Sequence, residues 1–106
     1  MYSNPQRKSS DTLELRREVG RWLKARREAR GLSQRQFAET IGADYYTFVS
    51  QLETGRGRIP PDKYVVFAAA LGMNVRDFVL AIMPFYDPVT FDILFPRGPA
   101  ESEAAS

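Results

Sequence analysis

The chain has 106 residues, 43% of them hydrophobic and 26% charged, which is typical of a soluble globular protein that folds as one domain. It contains no cysteine and no histidine, so disulfides, thiolate chemistry and the usual zinc or imidazole sites are excluded, and we expect neither a metal nor another cofactor. No apolar run approaches the roughly 20 residues of a membrane span. Residues 1–10 also lack the apolar core of a signal peptide, so we expect a cytoplasmic protein with no membrane partner.

The net charge of +2 is unevenly distributed along the chain. Residues 1–58 hold 12 of the 15 basic and 7 of the 13 acidic residues, a net charge of +5, and residues 59–106 carry a net charge of −3. A basic half beside an acidic half indicates one face for a polyanion and another for a different partner. The alternative is a solvated surface that is uneven by chance.

The first predicted helix follows a polar, non-periodic stretch, residues 1–11, which we interpret as a flexible arm. Asp11 or Thr12 can cap this helix, which runs to about Arg30 and stops at Gly31. Its apolar face consists of residues at helical spacing: Leu15, Val19, Trp22, Leu23 and Ala29.

The second and third predicted helices are separated by a short turn. Ser33 caps the second helix and Gly42 ends it, with Phe37, Ala38 and Ile41 facing inward. Asp44 is the expected cap of the third helix, roughly residues 45–54, which ends at Gly55. Its inward positions are Val49 and Leu52, with Tyr45 and Phe48 on the same side. We call the outward set the reading face: Tyr46, Thr47, Ser50, Gln51 and Thr54.

Two further helices complete an all-α domain of five helices over residues 12–83. Pro60 and Pro61 begin the fourth helix and Gly72 ends it. Its inward positions are Tyr64, Phe67, Ala68 and Leu71. Asn74 caps the fifth, whose apolar residues recur at i, i+3, i+4, i+7 and i+8: Val75, Phe78, Val79, Ile82 and Met83.

The chain changes character at Pro84. Residues 84–96 are too apolar for a disordered segment, and Asp87-Pro88 is typical of a helix cap followed by proline at the first helical position. This pattern favours a short helix over residues 88–95, although the alternation Phe91-Asp92-Ile93 also permits a strand. Residues 97–106 are polar and acidic, and we expect a disordered tail.

The middle of the chain holds a series of small, capping and apolar residues at characteristic positions: Gly31-Leu32-Ser33-Gln34, Phe37-Ala38, Gly42, Val49-Ser50-Gln51-Leu52-Glu53, Gly55 and Leu71-Gly72. With these residues, the stretch from about Val19 to Met83 resembles the Cro/repressor-type helix-turn-helix family, also called the XRE family. The resemblance implies a Cro/repressor-like fold that places its third helix in the major groove of double-stranded DNA.

The resemblance also implies roles for individual residues. Bases would be contacted by Tyr46, Thr47, Ser50 and Gln51. The DNA backbone would be contacted by Gln34, Arg35, Tyr45, Thr54, Arg56 and Arg58. Arg27 of the first helix would form a partly buried ion pair with Glu53 of the third. The turn after Gly42 is one residue longer than is usual in the family, so the choice of base reader among Tyr45, Tyr46 and Thr47 stays open.

The chemistry of the same side chains supports these roles independently. The Gln51 amide can pair with adenine N7 and N6 together, and Thr47 offers thymine a hydroxyl or a methyl group. Plain solvated helix surface is the alternative for both. The glycine-rich stretch from Gly55 to Arg58 lacks the preceding strand and the Lys-Ser/Thr of a nucleotide-binding loop, so we do not expect a nucleotide site. Because this stretch follows the third helix, we expect its two arginines to contact DNA phosphates, with two exposed arginines in a turn as the alternative.

These patterns lead to two hypotheses. The first is a sequence-specific DNA-binding regulator, a repressor acting as a homodimer on an inverted repeat. The second is an antitoxin-like or adaptor module that docks an unknown protein partner on its C-terminal segment. An enzyme is not expected, since the chain has no His or Cys and its carboxylates are scattered. The expected dimer interface consists of apolar residues that the five-helix core does not need: Phe85, Tyr86, Val89, Phe91, Ile93, Leu94 and Phe95. The alternative is that this segment folds back onto its own domain.

Overall fold

The computed structural model describes residues 9–96, and all regular structure within that range is helical, which confirms the all-α fold class. Residues 1–8 of the expected arm and the whole expected tail, residues 97–106, lie outside the described residues. In chain order the elements are α1 (Ser9–Ala29), α2 (Gln34–Ile41), α3 (Thr47–Glu53), a 3-10 turn (Pro61–Lys63), α4 (Tyr64–Leu71), α5 (Val75–Tyr86) and α6 (Pro88–Leu94).

Helix α1 begins earlier than the sequence predicts. It starts at Ser9, so the expectation that Asp11 or Thr12 caps it is wrong, and residues 9–11 belong to the helix rather than to an arm. Residues that cap helices also occur in their first turn, so a capping residue alone does not fix the start. At the other end, Ala29 was predicted to lie on the apolar face but is exposed. The buried residue in the last turn of α1 is Arg27 instead.

Helix α2 has the limits that its sequence predicts. The Ser33 hydroxyl accepts a hydrogen bond from the Gln36 backbone N–H (3.1 Å), and the Ser33 N–H donates to Gln36 Oε1 (2.8 Å), forming a capping box. At its C-terminal end Gly42 has φ +75°, a left-handed conformation that strains any residue with a Cβ.

Helix α3 begins at Thr47, two residues later than expected. Asp44 does not cap it; Tyr46 occupies the N-cap position with no side-chain hydrogen bond to the helix. The expectation that Tyr45 faces inward is also wrong, since this residue is 75% exposed. Tyr45 precedes the helix, so the helical periodicity that places Val49 and Leu52 in the core does not extend to it.

The core is centred on Phe67 of α4, which is completely buried. Its ring makes edge contacts with Phe37 (5.4 Å between centroids) and Phe48 (6.4 Å), and a tilted contact with Phe78 (6.3 Å). Each such side chain stabilises the fold by about 1.5–3 kcal/mol through burial. Trp22, expected as a core anchor, packs on Phe78 with 5.9 Å between ring centroids.

Within residues 9–96 no single helix is long and apolar enough to cross a membrane. Among the described helices, one bent pair, Pro61–Leu71 and Val75–Tyr86, with 119° between its members, meets the length and composition required. The largest apolar side chains of that pair, including Phe67, Phe78 and Ile82, form the interior of the domain.

Helix α5 continues through Pro84 to Tyr86, so the predicted domain boundary at residue 84 falls inside a helix. Proline inside a helix removes one backbone hydrogen bond and typically costs about 3 kcal/mol or more. Here Phe85 and Tyr86 pack against the core beyond the proline, and this burial offsets the cost. Helix α6 follows at once: Asp87 Oδ1 accepts from the Thr90 N–H (3.2 Å), as predicted for a cap, and the strand alternative is wrong.

Candidate nucleic-acid interface

Helices α2 and α3, joined by the turn at residues 42–46, form a helix-turn-helix arrangement with α3 on the outside. Val49 is completely buried and Leu52 is 5% exposed, so the opposite side of this short helix faces outward. Four residues on that side are exposed: Tyr46, Thr47, Gln51 and Thr54. The fifth, Ser50, is half-buried. The structure therefore brings all five reading-face residues to one outer side of the domain.

A glycine lets α1 approach α3 closely. A Cβ at Gly20 would collide with the backbone carbonyl of Glu53 and lie 2.7 Å from the carbonyl oxygen of Leu52. Any other residue at this position would push the two helices apart, so Gly20 helps fix the position of α3. This role was not predicted from the sequence, although an isolated glycine inside a helical pattern is a recognised sign of close packing.

Arg27 and Glu53 join α1 to α3 in the interior. Arg27 Nε and Nη2 donate to Glu53 Oε2 (2.7 Å) and Oε1 (3.0 Å), a two-pronged pair in which Arg27 is 5% and Glu53 7% exposed. Arg27 Nη1 also donates to the Leu32 carbonyl (2.7 Å). The hydrogen bond to Glu53 is the main reason that the pKa of Arg27 lies above its ordinary value. The pair therefore fixes the angle between α1 and α3.

Gln34 extends this buried network. Its side-chain Nε2 donates to Glu53 Oε1 at 3.0 Å, so the Gln34 amide lies beside the ion pair and is half-buried. An open groove of about 350 Å³ lies over the same group, lined by Arg27, Ser33, Gln34, Arg35 and Tyr46. The groove joins the start of α2 to the start of α3.

Arg35 and Tyr46 are stacked at the mouth of this groove. The Arg35 Cζ lies 4.6 Å from the centroid of the Tyr46 ring, the geometry of a cation–π contact, and both side chains are exposed. A residue expected at bases and a residue expected at the DNA backbone therefore touch each other. Tyr45 projects into solvent beside them, at 75% exposure.

A second open groove, of about 350 Å³, lies along α3, between the turn that precedes this helix and the 3-10 turn. Thr47 and Gln51 line it together with Lys63 of the 3-10 turn. No role in binding was predicted for Lys63 from the sequence, because no local pattern shows that residues 51 and 63 line one groove. The position of Lys63 adds a cation beside the two polar side chains of α3.

The loop after α3 carries the two arginines expected at phosphates, and both are exposed. Arg58 Cζ lies 4.4 Å from the centroid of the Tyr86 ring, and Arg58 Nη2 donates to the Tyr64 hydroxyl at 3.4 Å. Arg56 makes no side-chain hydrogen bond, ion pair or ring contact with residues 12–96. Thr54, at the end of α3, donates its hydroxyl to the Ser50 carbonyl at 3.0 Å.

The comparison with known families decides which fold family this arrangement represents. The profile of a family described as a helix-turn-helix domain matches residues 18–78. The chain belongs to the helix-turn-helix domain family. The match runs from α1 into α5 and contains the ion pair, the reading face and the arginine loop. It agrees with the Cro/repressor-type resemblance and supports DNA binding. No curated protein matches the chain significantly.

The C-terminal segment of this helix-turn-helix protein lies beyond the matched residues and divides into two parts. Phe85 and Tyr86, expected at a dimer interface, are half-buried against the domain's own core. On α6, Phe91 is half-buried and stacks on Phe95 with 4.9 Å between ring centroids. The remaining expected interface residues are exposed by 41–71%: Val89, Ile93, Leu94 and Phe95.

Within residues 9–96, no group of three or more acidic side chains could hold a metal ion. Two of the described carboxylates, Glu14 and Glu53, pair with arginines instead. Glu14 pairs with Arg17 (3.6 Å) and Arg21 (3.3 Å) on the surface of α1, and Glu53 pairs with Arg27 in the interior.

Proposed function

We propose that this helix-turn-helix protein is a sequence-specific DNA-binding transcriptional regulator, and that it acts in the cytoplasm as a homodimeric repressor on an inverted-repeat operator. The observation that carries the proposal is the placement of α3. Its polar side is exposed, its position is fixed by the buried pair of Arg27 and Glu53, and arginines lie beside its start and in the loop after its end. This is the arrangement that a recognition helix needs in the major groove.

Sequence would be read mainly by Thr47 and Gln51. They lie four positions apart on α3, so their side chains lie one above the other on the same face. The Gln51 amide can pair with adenine, and Thr47 can contact thymine. Ser50, half-buried beside them, would contribute a shorter contact. Tyr46 lies in the N-cap position and can reach a base edge or a phosphate.

Affinity would come from contacts to the DNA backbone on both sides of α3. Arg35 and Tyr45 lie at the start of the helix, and Arg56 and Arg58 follow its end. Cations on both sides of a recognition helix can neutralise phosphates on both strands flanking the major groove. The side chains of Gln34 and Thr54 each donate a hydrogen bond to another residue of the protein. We propose that these two residues contact phosphates through the hydrogen-bonding groups that these bonds leave unused.

Dimerisation would occur through α6. One helix-turn-helix unit reads only a few base pairs, and two units about 34–36 Å apart can bind one face of the DNA. Most apolar residues of α6 are exposed, Ile93 and Leu94 by 71% and 62%. Two copies of such a helix can cover each other in a two-fold interface. A dimer bound across a promoter would then repress by blocking access to it.

The exposed face of α6 also favours a second candidate function. An antitoxin-like or adaptor protein would use the same side chains to bind a different protein, either instead of DNA binding or together with it. Apolar patches on a protein surface commonly mark such interaction sites.

An electrophoretic shift assay across a salt series, with random-sequence and selected DNA, separates the two functions. The regulator is expected to enrich an inverted repeat and to lose affinity steeply as salt rises, because phosphate binding releases counterions. Absence of binding to either DNA at moderate salt would contradict the regulator and favour the adaptor. Sedimentation of the free protein in the same buffer reports whether a dimer forms without DNA.

A further inference from the structure

Tyr86 makes two contacts with the loop that follows the recognition helix, although it lies outside the residues matched by the family profile. Its hydroxyl accepts a hydrogen bond from the Ile59 backbone N–H (3.0 Å), and its ring lies under the Arg58 guanidinium (4.4 Å). Burial raises the pKa of the Tyr86 hydroxyl above its ordinary value, and this outweighs the opposing effects of the Ile59 hydrogen bond and of Arg58. Tyr86 is therefore neutral at physiological pH.

The loop itself is held at both ends. At its start, Gly55 is buried with φ +86°, and a Cβ there would lie 2.8 Å from Arg17 Cγ of α1. The Arg56 N–H donates to the Gln51 carbonyl at 2.9 Å. At its end, the Ile59 side chain is completely buried in the core and its N–H is bound to Tyr86. The two arginines are thus presented from a short, fixed stretch of backbone.

Stacking on Tyr86 leaves Arg58 free to bind an anion. A planar guanidinium contacts an aromatic ring through its face, whereas it binds phosphate through the N–H groups on its edge. One of these groups, Nη2, donates to the Tyr64 hydroxyl at 3.4 Å, but Arg58 is exposed, so the other N–H groups on its edge remain accessible to a ligand. A side chain that is already confined also loses less conformational freedom when it binds.

We propose that Tyr86 is a positioning residue for DNA binding: it holds Arg58 and the end of the loop in the orientation that meets a backbone phosphate. The C-terminal turn of α5 then belongs to the DNA-binding unit as well as to the core. This inference rests on the proposed DNA-binding function. Arg56 provides a matched control, because it lies in the same loop and its side chain contacts no aromatic ring in the described part of the chain.

The test is a double-mutant cycle on the full chain. Binding to a fluorescein-labelled random-sequence duplex of about 24 base pairs is followed by anisotropy between roughly 50 and 200 mM salt. Arg58→Ala and Arg56→Ala are each measured alone and combined with Tyr86→Met, which keeps apolar volume but removes the ring. A thermal melt of each variant checks that it is folded.

Arg58→Ala is expected to flatten the salt slope by about one unit when Tyr86 is present, and to have almost no further effect in Tyr86→Met. Arg56→Ala should flatten the slope by the same amount in both backgrounds. Equal Arg58 effects in both backgrounds would overturn the inference, as would tighter binding by Tyr86→Met. A wild-type protein that shows no salt-dependent binding would instead refute the proposed DNA-binding function.

A second pair of variants keeps the test independent of the folding of Tyr86→Met. Arg58→Lys retains the charge but loses the planar stack on Tyr86, so affinity for the same duplex should fall by about two- to fivefold. Arg56→Lys also keeps the charge and loses no ring contact, so it should lower that affinity by a smaller factor than Arg58→Lys does. If both lysine variants bind equally well, stacking on Tyr86 does not position Arg58, and the inference is wrong.

Discussion

Loss of the Arg27 side chain should strongly destabilise the fold. Glu53 is 7% exposed in the wild-type protein, and in Arg27→Met its carboxylate loses two hydrogen bonds, of 2.7 and 3.0 Å, and keeps the one from Gln34. The Leu32 carbonyl loses its donor as well. Breaking a buried pair from one side typically costs about 3–5 kcal/mol. For a domain of this size that corresponds to a fall in Tm of at least about 12 °C.

The assay is thermal and urea unfolding at one fixed protein concentration, since dimerisation makes stability depend on concentration. Arg21→Met is the matched control, because Arg21 pairs with Glu14 at 3.3 Å on the surface of the same helix and should contribute under about 1 kcal/mol. The double variant Arg27→Met with Glu53→Leu removes both charges and should recover most of the loss. If Arg27→Met lowers Tm no more than Arg21→Met does, the pair does not fix α3 as we infer.

Three further predictions concern separate parts of the molecule. Arg56→Ala should weaken binding to all DNA sequences alike and flatten the salt slope by about one unit in anisotropy titrations; a loss confined to some sequences would assign Arg56 to base reading instead. Ile93→Glu should yield a monomer in sedimentation, whereas Thr90→Glu on the same helix should leave the dimer intact. A dimeric Ile93→Glu would exclude this face of α6 as the dimer interface. The raised pKa of Tyr86 means that its contribution to stability is complete below about pH 10 and is lost as pH rises through the folded-state pKa. Wild type should therefore lose unfolding free energy more steeply above that pH than Tyr86→Phe, and parallel urea-unfolding profiles would contradict this.

The limits of α2 and the ends of several other helices were predictable from capping residues and glycines close to those ends in the sequence. Ser33 and Gln36 satisfy each other's backbone groups within one turn, and glycines at positions 42 and 72 adopt the positive φ that ends α2 and α4. Asn74 likewise caps α5 through the N–H groups of residues 76 and 77. Such signals depend only on neighbouring residues, so the sequence contains all that is needed to read them.

Features that depend on tertiary contacts could not be read from the sequence in this way. Asp44 has the chemistry of a cap, but α3 begins three residues later, where its apolar residues reach the core. Pro84 does not end α5, because Phe85 and Tyr86 pack on the domain beyond it. Ile59 is completely buried although it lies in a loop, where no periodicity predicts burial.

The same limit applies to the candidate site. The outward side of α3 follows from helical spacing once Val49 and Leu52 are assigned to the core. The contact of Arg58 with Tyr86 and the position of Lys63 beside Gln51 join residues that are distant in sequence. Only the packing of α4 and α5 against the helix-turn-helix unit brings them together.

The measurement that tests the central claim most directly is selection of bound sequences from a random pool of duplex DNA, carried out in parallel with wild type and Gln51→Ala. The wild-type protein should enrich an inverted repeat whose half-sites are about 34–36 Å apart, and Gln51→Ala should lose preference at one base pair in each half-site, by about 1–3 kcal/mol. Enrichment of the same consensus by both proteins, with equal preference at every position, would show that the outer side of α3 does not read DNA.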